Sequence, residues 1–317
     1  MAPAPLRILC GVDGSDDGMR GAELAGSLAV ALGAELVLAH VIASPGRRVV
    51  RVGAHAVADE KHDDSRVARL LAETAERIGI EAVRTRWVEA RRETEGLLRA
   101  AEVERPALIV LGARGRSALG TVLLGSVSAE LPLRASCPVV VLPRDAPVPV
   151  FDAATGLQHT IVCGVVDSED GQAAARVAGD LARALDARLR LVYSRMPTPP
   201  LSSGLHGRHG LAVSDEILLE RERRIAMALL QRAARWTGYP PDQVEPALEM
   251  GEAAERIEAV ARRESAVMTV VGSRGLGPLR AAVLGSTSRT LAALAGRPVA
   301  IAGRAAFMAA PDDPGSL

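Results

Sequence analysis

The chain has 317 residues, 48% hydrophobic and 24% charged, which suits about two domains with real cores. Its 38 basic and 38 acidic residues cancel. That balance argues against a general affinity for nucleic acid or an anionic membrane, and an aromatic content of 2% leaves little to stack on single strands. No run approaches the ~18 apolar residues of a membrane span, and "MAPAPLRILCGVDGS" lacks the apolar centre of a secretory leader, so a cytoplasmic protein is expected. Cys10, Cys137 and Cys163 form no CxxC and read as small buried hydrophobes. Lys61, in the polar stretch "DEKHDD", is the only lysine, so neither a P-loop nor a Schiff base has a candidate.

In chain order, "RILCGV" is a short apolar strand. "DDGMRGAELAGSLAVALG" carries Leu24, Leu28 and Leu32 at helical spacing, with Gly33 placed to close the helix. "AELVLAHV" is a strand, residues 43–60 a loop, and "DSRVARLLAETAERIGI" a helix capped by Asp64 or Ser65. "EAVRTRWVEA" alternates as a strand does, "ETEGLLRAAEVER" is helical, and "ALIVLG" is a strand. "SAELPLRAS" is a short helix that Pro132 kinks or shortens, and "PVVVLPR" is the last strand.

The series then repeats. At an offset of 153, residues 8–41 lie on 161–194 without a gap, matching Cys10 to Cys163, Gly11 to Gly164, Val12 to Val165, Ser15 to Ser168, Gly18 to Gly171 and Gly26 to Gly179. At an offset of 160, residues 104–144 lie on 264–304. Two homologous domains are expected, 1–147 and 157–304, joined by "PRDAPVPVFDAATG" and followed by a loose tail at 305–317. Strands alternating with helices predict the α/β class: two tandem Rossmann-like domains, each a five-stranded parallel sheet between helices.

Two stretches end strands and begin irregular backbone: "VDGSDDG" after the first and "GARG" after the fourth. If the strand order is 3-2-1-4-5, these meet at the switch point, where open α/β sheets bind ligands. The second stretch opens "GARGRSALGTVLLGS", which returns as "GSRGLGPLRAAVLGS"; both read G-x2-G-x9-G-S. Gly112 and Gly115 let a ligand approach the backbone, and Gly125 and Ser126 open a helix whose free N–H groups favour phosphate. Ser126 and Ser128 add hydroxyls, and Arg114 adds a fixed positive charge. One copy of so loose a pattern carries little. The four motif positions persist in the second copy, while Arg116, Ser117, Ala118, Gly120 and Thr121 have become Leu276, Gly277, Pro278, Arg280 and Ala281.

This glycine pattern after a fourth strand, with "VDGS" after the first and "CPVVVLPR" as the last, resembles the universal stress protein family, in tandem form and in its ATP-binding branch. The resemblance covers nearly the whole chain. It implies an adenine nucleotide, ATP, with magnesium admissible beside the triphosphate. The nucleoside end would involve Val12, Asp13, Gly14 and Ser15 of "VDGS" and the backbone near Val41; the phosphate end would involve Gly112, Arg114, Gly115, Gly125, Ser126, Val127 and Ser128. The second copy offers Val165 with Gly272, Arg274, Gly275, Gly285, Ser286, Thr287 and Ser288. Its nucleoside end is altered: Asp13 aligns with Val166 and Gly14 with Asp167, and His40-Val41 becomes Tyr193-Ser194. A one-residue slip turns a side chain to the other face, so Asp167 does not simply replace Asp13. The resemblance also implies pairing through the last strands, "PVVVLPR" and "PVAIAGR", within the chain or in a homodimer.

Competing chemistries are poorly supported. "DGSDDG" imitates a calcium loop, but its twelfth position is Leu24. His40, His55, His62, His159, His206 and His209 form no metal-binding motif, and "EARRETE" and "ERERR" read as solvated helix faces. No nucleophile–base pair can be assigned, so catalysis beyond slow ATP hydrolysis by positioning is not expected. The reading is an ATP-binding regulatory or adaptor protein of stress or dormancy responses, acting on an unknown partner through the loops at 43–60 and 195–215 or through the dimer surface. The alternatives are an ATP-using enzyme, such as a slow ATPase or phosphotransferase, and a nucleotide-free interaction module.

Overall fold

In the computed structural model, residues 5–43, 64–80, 83–115, 124–151, 159–196, 215–274 and 283–303 are described. Most of the two loops proposed for regulation, Lys61, Gly275 and the tail lie outside them.

The first half runs β1 (Arg7–Gly11), α1 (Asp16–Leu32), β2 (Glu35–Ala43), α2 (Asp64–Ile78), β3 (Val83–Ala90), α3 (Glu93–Glu104), β4 (Leu108–Gly112), α4 (Ser126–Glu130) and β5 (Val139–Leu142). The second repeats it as β6 (Thr160–Gly164), α5 (Glu169–Ala184), β7 (Arg188–Arg195), α6 (Asp215–Trp236), β8 (Val244–Met250), α7 (Ala253–Arg263), β9 (Met268–Gly272), α8 (Ser286–Leu294) and β10 (Val299–Ala302). Gly33 closes α1 at φ 59°, in the left-handed region as its position foretold. Asp64 and Ser65 both lie inside α2 rather than capping it, so the cap position falls outside the described residues. Pro132 has the expected effect. The helix ends at Glu130 and tightens into a 3-10 turn over Leu131–Leu133, whereas α8, with Ala292 at that place, runs nine residues.

The strand order is β3-β2-β1-β4-β5-β10-β9-β6-β7-β8. Each half is parallel in the order 3-2-1-4-5. The halves join where β5 meets β10 antiparallel, Val139 against Ile301 and Val141 against Val299. Central strands are buried on both faces and read as continuous apolar runs; β3, at an edge, alternates. One core layer lies under α1, α2, α5 and α6, the other under α3, α4, α7 and α8. The segment after β5 is packed down on α1: the Arg20 guanidinium donates to the carbonyls of Arg144 and Ala146, and the Ser27 hydroxyl donates to Pro149 O at 2.9 Å. Phe151 is buried there, with its ring edge-on to His159.

All three cysteines are free and buried, Cys10 and Cys163 at matching places in β1 and β6. Burial, aided by the nearby Asp13 charge, pushes the Cys10 thiol up to about 12, and burial alone takes Cys137 to about 12. The Cys163 thiol is raised by the same desolvation. The thiolate is the reactive form, so Ellman's reagent should label no thiol of the native chain and all 3 in denaturant. Rapid labelling without denaturant would contradict this packing.

Candidate functional site

The C-terminal ends of β1, β2 and β4 enclose a cleft of about 700 Å³ with the starts of α3 and α4. Val12, Asp13, Val41, Gly112, Arg114, Gly115, Gly125, Ser126, Val127 and Ser128 all line it, so the topology brings together most of the first set of expected residues. The walls are mixed: Ala39, Val41, Ile42, Leu97 and Leu111 are apolar, and Asp13, Glu93 and Arg114 carry charge.

Local geometry gives each residue its part. Asp13 Oδ1 accepts the Ser15 backbone N–H at 3.0 Å and the Ser15 hydroxyl at 2.6 Å. Ser15 Oγ in turn accepts the Gly18 N–H at 3.0 Å and caps α1. Gly14 takes φ 78° in this turn. Gly14 and Ser15 therefore shape the turn and, unlike Asp13, do not line the cleft. Asp13 Oδ2 faces the glycine loop, 2.7 Å from where a Cβ on Gly115 would stand. His40 Nδ1–H donates to Val12 O at 2.7 Å, while Val12 N–H donates to Ala39 O, so both backbone groups of Val12 are engaged.

Gly125 caps α4 with no side-chain cap bond, and Ser126 and Val127 open the helix facing the cleft. Ser128 departs from expectation. It is buried, and its hydroxyl donates to Gly112 O at 2.8 Å, tying the helix to the strand end rather than offering a proton to a ligand. Ser288 does the same to Gly272 O at 2.5 Å. Gly112 is also more than a ligand approach: a Cβ there would lie 2.2 Å from the Asp17 carbonyl oxygen.

The second half keeps the frame and loses the carboxylate. Ser168 still caps α5, accepting the Gly171 N–H at 3.1 Å. Its own N–H donates to the Val166 carbonyl at 2.9 Å, so backbone takes over what the Asp13 side chain does. That carbonyl sits 2.1 Å from where a Cβ on Gly171 would be. Asp167 turns away, pairing with Arg232 of α6 at 2.5 Å; Arg232 also lies over the Trp236 ring. The Ser194 hydroxyl, at Val41's place, donates to Gly251 O at 2.7 Å. Val165 is buried. Gly272, Arg274, Gly285, Ser286, Thr287 and Ser288 are in place around the start of α8, and Gly275 is outside the described residues.

Sequence reasoning missed Glu93, Leu97 and, in the wall around the expected Val41, Ala39, Ile42 and Ala43. No glycine or repeat marks them; only the expected strand order, placing the end of β2 and the start of α3 beside β1, could have found them.

The universal stress protein family profile matches residues 6–143 and again 158–303. The chain belongs to this family. Universal stress protein Rv2005c of Mycobacterium tuberculosis is 34% identical over 197 residues, 62% of this chain and 61% of that protein. The chain thus spans less than two thirds of the length of the relatives it matches; universal stress protein Rv2623, at 30% identity, is also covered over 61%. Among solved structures, a universal stress protein from Archaeoglobus fulgidus DSM 4304 superposes with a TM-score of 0.61 at 19% identity, over 94% of this chain and 98% of that one. It shares the tandem fold seen here. Within that fold the Ser15 and Ser168 caps occur in both halves. Ser15→Ala and Ser168→Ala should each lower urea-unfolding stability by about 1 kcal/mol. Ser15→Ala alone should perturb the first cleft, because only there does the cap also hold a carboxylate.

Proposed function

We propose that the first-half cleft binds ATP and that the chain is a nucleotide-responsive regulatory or adaptor protein of the cytoplasm. The observation that carries this is the meeting, in one cleft, of a turn-fixed Asp13 with Gly115, Gly125 and the start of α4. The residues fit the nucleotide. A Cβ at Gly115 or Gly125 would crowd the passage, standing 2.7 Å from Asp13 Oδ2 or 3.2 Å from Ala113 O. The first-turn N–H groups of Ser126 and Val127 suit a phosphate, with Arg114 adding charge. Val12, Ala39, Val41 and Leu97 give an apolar seat for a base, and Asp13 can accept a hydrogen bond from a nucleoside hydroxyl or amino group. The second half has a carbonyl where Asp13's carboxylate would be, and Asp167 is drawn to α6, so one nucleotide per chain is the expected stoichiometry.

Isothermal titration with Mg-ATP tests this. One site is expected, with Asp13→Ala and Gly115→Ala each weakening binding by about tenfold or more and Val166→Ala leaving it unchanged. Absence of ATP binding, or wild-type affinity in both first-half variants, would remove the assignment. Two equal sites would overturn the asymmetry.

A further inference from the structure

We infer that Gly96 is a positioning residue for the first cleft: lacking a side chain, it lets Val41 pack against α3 and so leaves the apolar wall open to the base of the nucleotide. This rests on the ATP reading above.

Gly96 is buried inside α3, where its N–H donates to Arg92 O at 3.1 Å. A helix interior favours alanine over glycine, so packing has to account for the residue. A Cβ on Gly96 would stand 2.4 Å from Val41 Cγ1, 2.7 Å from Cγ2 and 3.1 Å from Cβ. A valine is stiff about χ1 and does not swing aside as a long side chain does. Its strand is held as well, with Val41 in register opposite Val88 of β3. Val41 and Leu97 line the cleft, and Gly96 does not. An added methyl would therefore push Val41 into the cleft, or push α3 and Leu97 away from β2. Either shift reshapes the apolar wall.

The second half shows that the fold does not require this contact. Leu97 and Ile257 each lie over the glycine that ends the first strand of their half: a Cβ on Gly11 would be 3.2 Å from Leu97 Cδ1, and one on Gly164 would be 2.4 Å from Ile257 Cδ1. The residues just before them, Gly96 and Arg256, therefore correspond, and Ser194 stands at Val41's place. There the Ser194 hydroxyl is bonded to Gly251 O, and the Arg256 side chain runs back over Gly251, with Nε 3.4 Å from where a Cβ on Gly251 would be. Neither member of the glycine–valine contact is kept. The half that lacks the Asp13 carboxylate is also the half that lacks this contact.

The test is isothermal titration of Mg-ATP into wild type, Gly96→Ala, Val41→Ala and the double variant, with thermal melting by circular dichroism to follow the fold of each. Gly96→Ala should weaken ATP binding by about tenfold in the wild-type background and by less than about twofold in the Val41→Ala background, where the branches that the methyl would strike are gone. Wild-type affinity in Gly96→Ala, or the same loss in both backgrounds, would overturn the role of Gly96 while leaving the ATP assignment standing. If Gly96→Ala alone does not melt cooperatively, the other two variants decide: equal affinities of Val41→Ala and the double variant support the proposal, and a tenfold gap between them overturns it. Failure of the wild type to bind ATP would overturn both readings.

Discussion

The first turn of α1 presses against the end of β4 so closely that the strand's last residue has no room for a side chain. A Cβ on Gly112 would lie 2.2 Å from the Asp17 carbonyl oxygen, and one on Gly21 would lie 2.7 Å from Gly112 N. This approach sets the loop after β1 beside the loop after β4 and so creates the cleft. It recurs in the second half, where a Cβ on Gly272 would lie 2.7 Å from Asp170 O and the Ser273 hydroxyl donates to Asp170 at 2.7 Å. The glycine common to both copies at this place is thus demanded by the packing of helix on strand. Its survival in the second half is no sign of a ligand there. Gly115 differs, because what crowds it is the Asp13 carboxylate itself.

The two halves diverge through small exchanges of hydrogen-bond partner. The same serine cap forms in both, and the residue two before it supplies the acceptor: a carboxylate from Asp13, a backbone carbonyl from Val166. Both satisfy the serine N–H, so the turn survives without the carboxylate. The Asp167–Arg232 pair is about half exposed and on such ground contributes only ~0–1 kcal/mol. The backbone bond, rather than that ion pair, fixes the second turn.

The fold was legible because each element carries its own period and because the chain repeats itself. β4 and β5 read as apolar runs, α1 as leucines four apart, and Pro132 as a shortened helix, all from local physics. Along the cleft, Gly112, Gly115, Gly125 and Asp13 were legible because glycine and an Asp-Gly turn mark unusual backbone. What stayed hidden was long-range. The partners of the Ser128 hydroxyl, of Asp167 and of Arg20 lie 16, 65 and more than 120 residues away, and no local pattern encodes them. Glu93 was hidden differently, since within "EARRETE" it is indistinguishable from a solvated helix face until α3 is placed against β2.

The joined sheet also gives the second half a structural task. β5 is four buried residues, Val139 to Leu142, with β4 on one side only. Without a neighbour on the other it would present an apolar edge with unpaired backbone groups, the configuration most prone to uncontrolled association. β10 covers that edge, and Gly303 just beyond it lies so near Pro132 that a Cβ there would be 2.3 Å from the Pro132 carbonyl oxygen. The demand on the second half is therefore a full sheet with a well-placed last strand. That demand fixes Gly272, the Ser168 cap and the Ser288 tie, which are the features it keeps. It places no demand on a carboxylate after β6 or on the residue that opens α7, and Val166 and Ala253 are among the positions where the second half differs from the first.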